Sequence, residues 1–188
     1  MKKILFAAIF CLVFAANNLT CRAGLTRVAD VGAENLYQAI QGNVQAYANR
    51  ENISLVVAKL FRAPNADDTK YGLSGWACLY GLKTSSEPDG EILFSVNGEG
   101  YVSTLKVVSY SNSKKETVAI MIFSSLDALG LTPSEVKNLV ENLEGKDNIF
   151  MSQVWSSAKN RNFLLMGVPR MQSDEGFQFL IMADDGRK

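Results

Sequence analysis

Residues 73–110 read LSGWACLYGLKTSSEPDGEILFSVNGEGYVSTLKVVSY, and the period of this stretch decides the fold. Trp76, Cys78 and Tyr80 alternate along one side of Leu73–Lys83. Pro88-Asp89-Gly90 marks a turn, after which Ile92, Phe94 and Val96 repeat the alternation. A period of two is the signature of strands with a buried face. Asn97-Gly98 follows and is the strongest short-range hairpin signal in the chain, because both central positions of a type I′ turn need positive φ. Tyr101–Tyr110 returns as a strand, so the stretch predicts an antiparallel meander.

Upstream, Ile53–Arg62 reads as a further strand rich in Val and Leu. Before it, Leu36, Ile40, Val44 and Tyr47 recur at helical spacing and predict a helix over Ala33–Ala48. The opposite side of that helix carries Gln38, Gln41 and Gln45 and no charge between Glu34 and Arg50, which reads as a solvated amide face.

Downstream, Ser111–Lys115 turns, and Thr117–Phe123 (TVAIMIF) is apolar throughout. A continuous apolar run of this length is expected to form a central strand covered on both faces. Thr132-Pro133-Ser134-Glu135 then opens a second helix. Thr132 is its N-cap, Pro133 sits at N1, Glu135 completes a capping box, and Leu131 with Val136 forms a hydrophobic staple. Val136, Leu139, Val140 and Leu143 line one side, and Gly145 supplies the stop. Three more strands follow at Ile149–Ser156, Phe163–Val168 and Gly176–Met182. The order α-βββββ-α-βββ predicts an α+β domain: a largely antiparallel sheet of about eight strands with two helices packed on one face. Each helix is followed by a three-strand meander, which permits two similar halves with a boundary near residue 98.

The amino end has a different logic. Lys2 and Lys3 precede an uncharged apolar run from Ile4 to Ala16, and Asn17, Asn18 and Thr20 then turn polar. Thirteen residues rise only about 20 Å as helix, short of the roughly 30 Å hydrocarbon core, so the run is expected to be a signal peptide rather than an anchor. Cys21-Arg22-Ala23 puts small residues at −3 and −1, and residues 1–23 are expected to be removed before Gly24. Asn18 and Thr20 argue against a lipid anchor at Cys21, because that signal wants an aliphatic residue at −3 and a small one at −1. Residues 24–188 then form the single α+β domain, with 16 basic residues against 19 acidic, a net charge of −3, and Cys78 as its one thiol. No other apolar run approaches the length of a membrane span. The expected location is periplasmic or extracellular, in a bacterial envelope or medium.

The 188 residues contain no histidine. That removes Ser-His-Asp and Cys-His nucleophiles, His-ligated metals and histidine pH switches. Zero net charge, and aromatics not interleaved with Lys and Arg, argue against nucleic acid as a partner. Three S-x-x-K strings occur: Ser111/Lys114, Ser134/Lys137 and Ser156/Lys159. The first and third fall in turns, where the lysine stays solvated and protonated, and the second is explained by capping. Asp67-Asp68, Glu87 to Glu91 and Asp184-Asp185 read as solvated turns that use Asp for local hydrogen bonds. Glu87–Glu91 does not continue into a calcium loop, since Val96 stands where the bidentate Glu would be. Gly98-Glu99-Gly100 lacks the third glycine of a dinucleotide site.

Cys78, between Trp76 and Tyr80, reads as buried and inert. No catalytic residue, metal ligand or cofactor is expected. Trp76, Tyr80 and Trp155 are the candidate binding residues, able to wall a pocket or dominate a contact surface if their strands are neighbours. The function expected is therefore a soluble exported, non-catalytic protein that binds a partner protein or a small apolar ligand. The alternatives are an exported hydrolase with a carboxylate or Ser-Lys centre, or a secreted enzyme inhibitor using loops 63–72 or 84–90. Mass spectrometry of the exported protein is expected to show an unmodified amino-terminal Gly24; a lipid-bearing Cys21 would contradict the leader as read here.

Overall fold

The computed structural model describes residues 27–110, 114–132, 134–136, 149–168 and 176–184. Within them the chain forms two helices, α1 (Ala33–Arg50) and α2 (Lys115–Ala128). The strands are β1 (Leu55–Val57), β2 (Phe61–Arg62), β3 (Ser74–Leu82), β4 (Gly90–Val96), β5 (Val102–Ser109), β6 (Phe150–Ser156), β7 (Arg161–Val168) and β8 (Gln178–Asp184). All eight strands join one antiparallel sheet in the order β1-β3-β4-β5-β8-β7-β6, with β2 also paired to β3. The fold is α+β, in the order α-βββββ-α-βββ.

Two meanders, β3-β4-β5 and β6-β7-β8, meet where Thr104–Val108 of β5 pairs with Met182–Gln178 of β8. Each meander follows a helix in the chain: β3-β4-β5 comes after α1, with β1 and β2 in between, and β6-β7-β8 comes after α2. Residue 98 lies in the β4–β5 connection.

The registers assign every side chain to a face. Cys78, Tyr80, Ile92, Phe94, Leu105, Val107, Phe163, Leu165, Phe179 and Ile181 share one face and, with the buried sides of both helices, form the main core. Two glycines on this face lie beneath aromatic rings directly across the ladder. A Cβ on Gly90 would collide with the Tyr80 ring, and one on Gly167 with the Phe150 ring. The Tyr80 hydroxyl, led over Gly90 in this way, donates to the Val108 carbonyl at 2.9 Å.

Helix α1 buries Leu36, Ile40 and Val44 of the expected stripe together with Tyr37, while Tyr47, also expected there, is only partly buried against the core; the helix runs two residues beyond Ala48. It ends in a Schellman motif: Asn52 has φ +55, its N–H bonds the Asn49 carbonyl, and the Ile53 N–H bonds Ala48 at 2.8 Å.

The run Thr117–Phe123 is not a strand; it is the middle of α2, which buries Thr117, Val118, Ile120, Met121, Ile122, Ser124, Ser125 and Leu126. Burial nearly all round the helix erases the amphipathic period, and a two-sided strand and an enclosed helix then share one sequence pattern. The expected fifth strand is supplied upstream, where Ile53–Arg62 breaks into β1 and β2. Helix α2 stops at Gly130 (φ +74), with Gly130 N–H on Asp127 and Leu131 N–H on Leu126.

The Asn97 hairpin forms, with a different turn. Gly100, not Asn97 or Gly98, has positive φ (+86), and the Gly100 N–H closes on the Asn97 carbonyl at 2.9 Å. The Asn97 side-chain oxygen accepts from the N–H groups of Glu99 and Tyr101, both at 3.0 Å. This extra capping selects the longer loop over the two-residue turn.

Of the helix expected over Thr132–Gly145, Thr132 and Ser134–Val136 are described, and Pro133 and residues 137–148 lie outside the described residues. The Glu135 carboxylate accepts from the Thr132 N–H at 2.7 Å, the reach-back of a capping box, and from the Thr132 hydroxyl. It also takes the N–H and hydroxyl of Ser157, both at 2.9 Å, and so ties this turn to the end of β6.

The four donors, the Ser157 N–H foremost, lower the Glu135 pKa from 4.5 to about 2. A carboxylate depressed in the folded state stabilises the fold fully above its unfolded pKa and loses that contribution as pH falls through the folded one. Melting temperatures of the wild type and of Glu135→Gln are therefore expected to differ most above about pH 5 and to converge between pH 4.5 and 2. A gap that stays constant over this range would contradict the role given to Glu135.

Candidate functional site

Among the described residues the second face of the sheet carries no α-helix, only the single 3-10 turn Pro64–Ala66 at its β3 end. Its registers build rows that cross the molecule. One runs Met151–Met166–Leu180–Lys106–Leu93–Ala77–Phe61 through β6, β7, β8, β5, β4, β3 and β2. A neighbouring row holds Gln153, Leu164, Met182, Thr104, Ser95 and Gly75. Met166 and Val168 pack with Ile149 and Leu180 as a second apolar cluster, separate from the main core.

Loops reach round to this face at β3, where the side chains are missing. A Cβ on Gly75 would lie 2.6 Å from the Ala66 Cβ, and one on Gly81 3.2 Å from the Pro88 Cα. The first of these loops is tied down by Arg62, whose two terminal nitrogens bond the two Asp67 carboxylate oxygens at 2.6 and 2.9 Å. The hydrogen bond from Arg62, then that from the Gly75 N–H, lowers the Asp67 pKa.

Exposure rises toward the edges of this face. Among the described residues five large apolar side chains stand exposed, and four of them lie here: Val56 and Phe61 at one edge, Met151 (47%) and Trp155 (50%) at the other. Single exposed apolar residues are ordinary on a surface, whereas their alignment at both ends of one sheet face is not. Polar groups border the β6–β7–β8 part: Lys106 on the β5 side, and the Gln153 amide donating to the Asp184 carboxylate at the Trp155 end.

The three aromatics singled out from sequence do not converge. Trp76 and Tyr80 share the helix side of β3, Tyr80 in the core and Trp76 packed partly against it beneath Arg62. Trp155 stands on β6, five strands away and on the opposite face. Tyr80 is structural: burial, chiefly, raises its pKa, and its hydroxyl is engaged with Val108. The residues that sequence reasoning missed are Met151, Leu164, Met166, Leu180 and Met182. The signal was present, because Phe163-Leu164-Leu165-Met166 and Phe179-Leu180-Ile181-Met182 are apolar at consecutive positions and so on both faces.

The nucleophile and carboxylate candidates have structural partners or lie outside the described residues. Ser156 is buried and donates to the Gly130 carbonyl at 2.6 Å, while the Lys159 N–H bonds it in return. Ser134 faces the Thr132 hydroxyl, and Ser111, Lys137 and Asp185 lie outside the described residues. Asp89 is buried and accepts from the Leu82 N–H at 3.2 Å. Among the described residues no three acidic or cysteine side chains gather as a metal site would require.

Comparison of the chain with protein-family models, with curated proteins and with solved structures gives no match.

Cys78 is fully buried on the core side of β3, and burial pushes its thiol up to about 12. Protein produced from Gly24 onward, with Cys78 as its one thiol, is expected to leave a thiol reagent unreacted at neutral pH and to titrate one thiol on unfolding. Rapid stoichiometric labelling of the folded protein would contradict this burial.

Proposed function

We propose that this is an exported, non-catalytic binding protein, and that the outer face of the sheet is where a partner docks. The observation that carries the reading is the second apolar layer on that face, rimmed by Lys106, Gln153 and Asp184 and exposed at Met151 and Trp155. Apolar patches with polar rims mark interaction sites on soluble proteins, and tryptophan is enriched among residues that dominate binding energy. The leader read from residues 1–23 supports export, and the lack of histidine supports contact rather than turnover.

Helices on one face and docking on the other separate stability from binding. Met151→Asp, at a half-exposed position, is expected to change stability by no more than about 0.5 kcal/mol. The same substitution is expected to abolish capture of the partner that immobilised wild-type protein draws from an envelope or medium extract. Undiminished capture by the variant would remove the outer face from the function. Turnover of a hydrolase substrate that one point substitution abolishes would replace the reading altogether.

A further inference from the structure

The hairpin between β4 and β5 does not need the glycine of Asn97-Gly98. The positive φ of its turn belongs to Gly100, and a Cβ added to Gly98 would meet nothing within 4 Å. This is the chain's one Asn-Gly pair. We propose that Asn97 is a site of non-enzymatic modification: in the folded protein its side chain closes onto the Gly98 nitrogen and deamidates, through a succinimide, to aspartate and isoaspartate.

Between Asn97 and Tyr101 every N–H but one donates within the turn. The Asn97 N–H bonds the Tyr101 carbonyl and the Gly100 N–H the Asn97 carbonyl, both at 2.9 Å. Those of Glu99 and Tyr101 bond the Asn97 side-chain oxygen, both at 3.0 Å. The Gly98 N–H, in the exposed part of the loop, has no hydrogen-bond partner among the described residues, and it is the nitrogen this reaction uses. The Glu99 N–H, donating to Asn97 Oδ1, closes a ring of atoms that contains both Asn97 Cγ and the Gly98 nitrogen. The side chain is thereby held folded toward its attacker. With no Cβ at residue 98, nothing shields that nitrogen.

The same two donors act on the electrophile. Negative charge develops on Oδ1 as the nitrogen adds to Cγ, and two backbone N–H groups at 3.0 Å stand where oxyanion donors are needed. The Asn97 amide nitrogen is buried without a hydrogen-bond partner, so no acceptor retains it. The Gly98 nitrogen gives its proton to solvent and bonds Cγ. The Cγ–Nδ2 bond breaks, and Nδ2 takes a proton from solvent and leaves as ammonia. Water then opens the cyclic imide: attack at Cγ gives aspartate, and attack at the main-chain carbonyl carbon gives isoaspartate.

Isoaspartate lengthens the backbone of the turn by one carbon, and this hairpin holds the start of the described chain. The Val28 and Ala29 N–H groups bond the Val102 carbonyl at 2.9 and 3.3 Å. Arg27 pairs with the Glu99 carboxylate and lies 3.8 Å over the Tyr101 ring. Displacing Glu99 and Tyr101 loosens Arg27.

The test incubates folded protein, produced from Gly24 onward, in mildly alkaline buffer beside a synthetic peptide of residues 93–104. Peptide mass spectrometry is expected to show a gain of one mass unit at Asn97 of the folded protein on the timescale of the peptide, with isoaspartate among the products. Gly98→Ala, which the turn accommodates, is expected to keep the melting temperature and to slow the gain at least about tenfold. Folded protein that stays unmodified while the peptide is converted would overturn the site, because the turn would then protect Asn97. An equal rate in Gly98→Ala would overturn attack by the Gly98 nitrogen. Trypsin is expected to cut after Arg27 faster in the isoaspartyl fraction than in fresh protein, and an unchanged rate would overturn the loosening of the amino-terminal segment.

Discussion

The pairing of β5 with β8 is the constraint on which the architecture rests. It is the one ladder that joins the two meanders, and its residues Leu105, Val107, Phe179 and Ile181 are fully buried at the middle of the core. The start of that ladder depends on Gly176, whose φ of +97 and missing side chain let the chain pass against the Ser109 carbonyl. The Ser109 N–H then bonds the Phe177 carbonyl at 2.8 Å. Once β5 and β8 are joined, α1 and α2 lie over the same surface and pack on each other. The Asn43 amide donates to the Ser124 carbonyl across that contact at 3.1 Å. The β5–β8 joint and the packed pair of described helices therefore hold the same core from its two sides.

Much of this was legible where local chemistry is unambiguous. Leu36, Ile40 and Val44 mark a helix with one buried side, and the strand of Trp76, Cys78 and Tyr80 alternates because one of its faces meets the core. Legibility failed where burial is two-sided. Val118, Ile120 and Ile122 are β-branched and consecutive apolar positions surround them, yet tertiary enclosure made them helical, overriding propensity. A longer window would have helped: fourteen residues from Lys115 to Ala128 contain no Gly or Pro, and the first glycine, Gly130, is the Schellman residue that ends the helix.

The candidate site was obscured for a related reason. Aromatic residues attract notice one at a time, and Trp76, Tyr80 and Trp155 carry no information about which strands become neighbours. Sheet order is a long-range property: β6 and β3 sit in opposite halves because the β5–β8 joint reverses the second meander, so Trp155 ends at the far edge. The doubled apolar runs at 163–166 and 179–182 were the better guide, since on a sheet with helices on one side the surplus apolar residues must face the other. Reading them that way requires knowing that both helices are committed to a single face, and the sequence leaves that open.

The magnitude of burial also sets the kind of interaction such a face can support. Covering roughly 350 Å² on each partner, at about 25 cal/mol per Å², corresponds to a gross gain of roughly 17 kcal/mol. Met166, Val168 and Met182 are already shielded by their neighbours, so the area newly removed from water is nearer half of that. Lost translational and rotational freedom costs about 4–15 kcal/mol, which consumes most of what remains. At most about 4 kcal/mol is left, the scale of a millimolar, rapidly reversible contact rather than of a permanent complex. The two sides of the sheet therefore differ in kind: tight enclosure around Phe163 and Phe179 on one, and a smaller apolar cluster of Met166 and Val168 with Ile149 and Leu180 on the other.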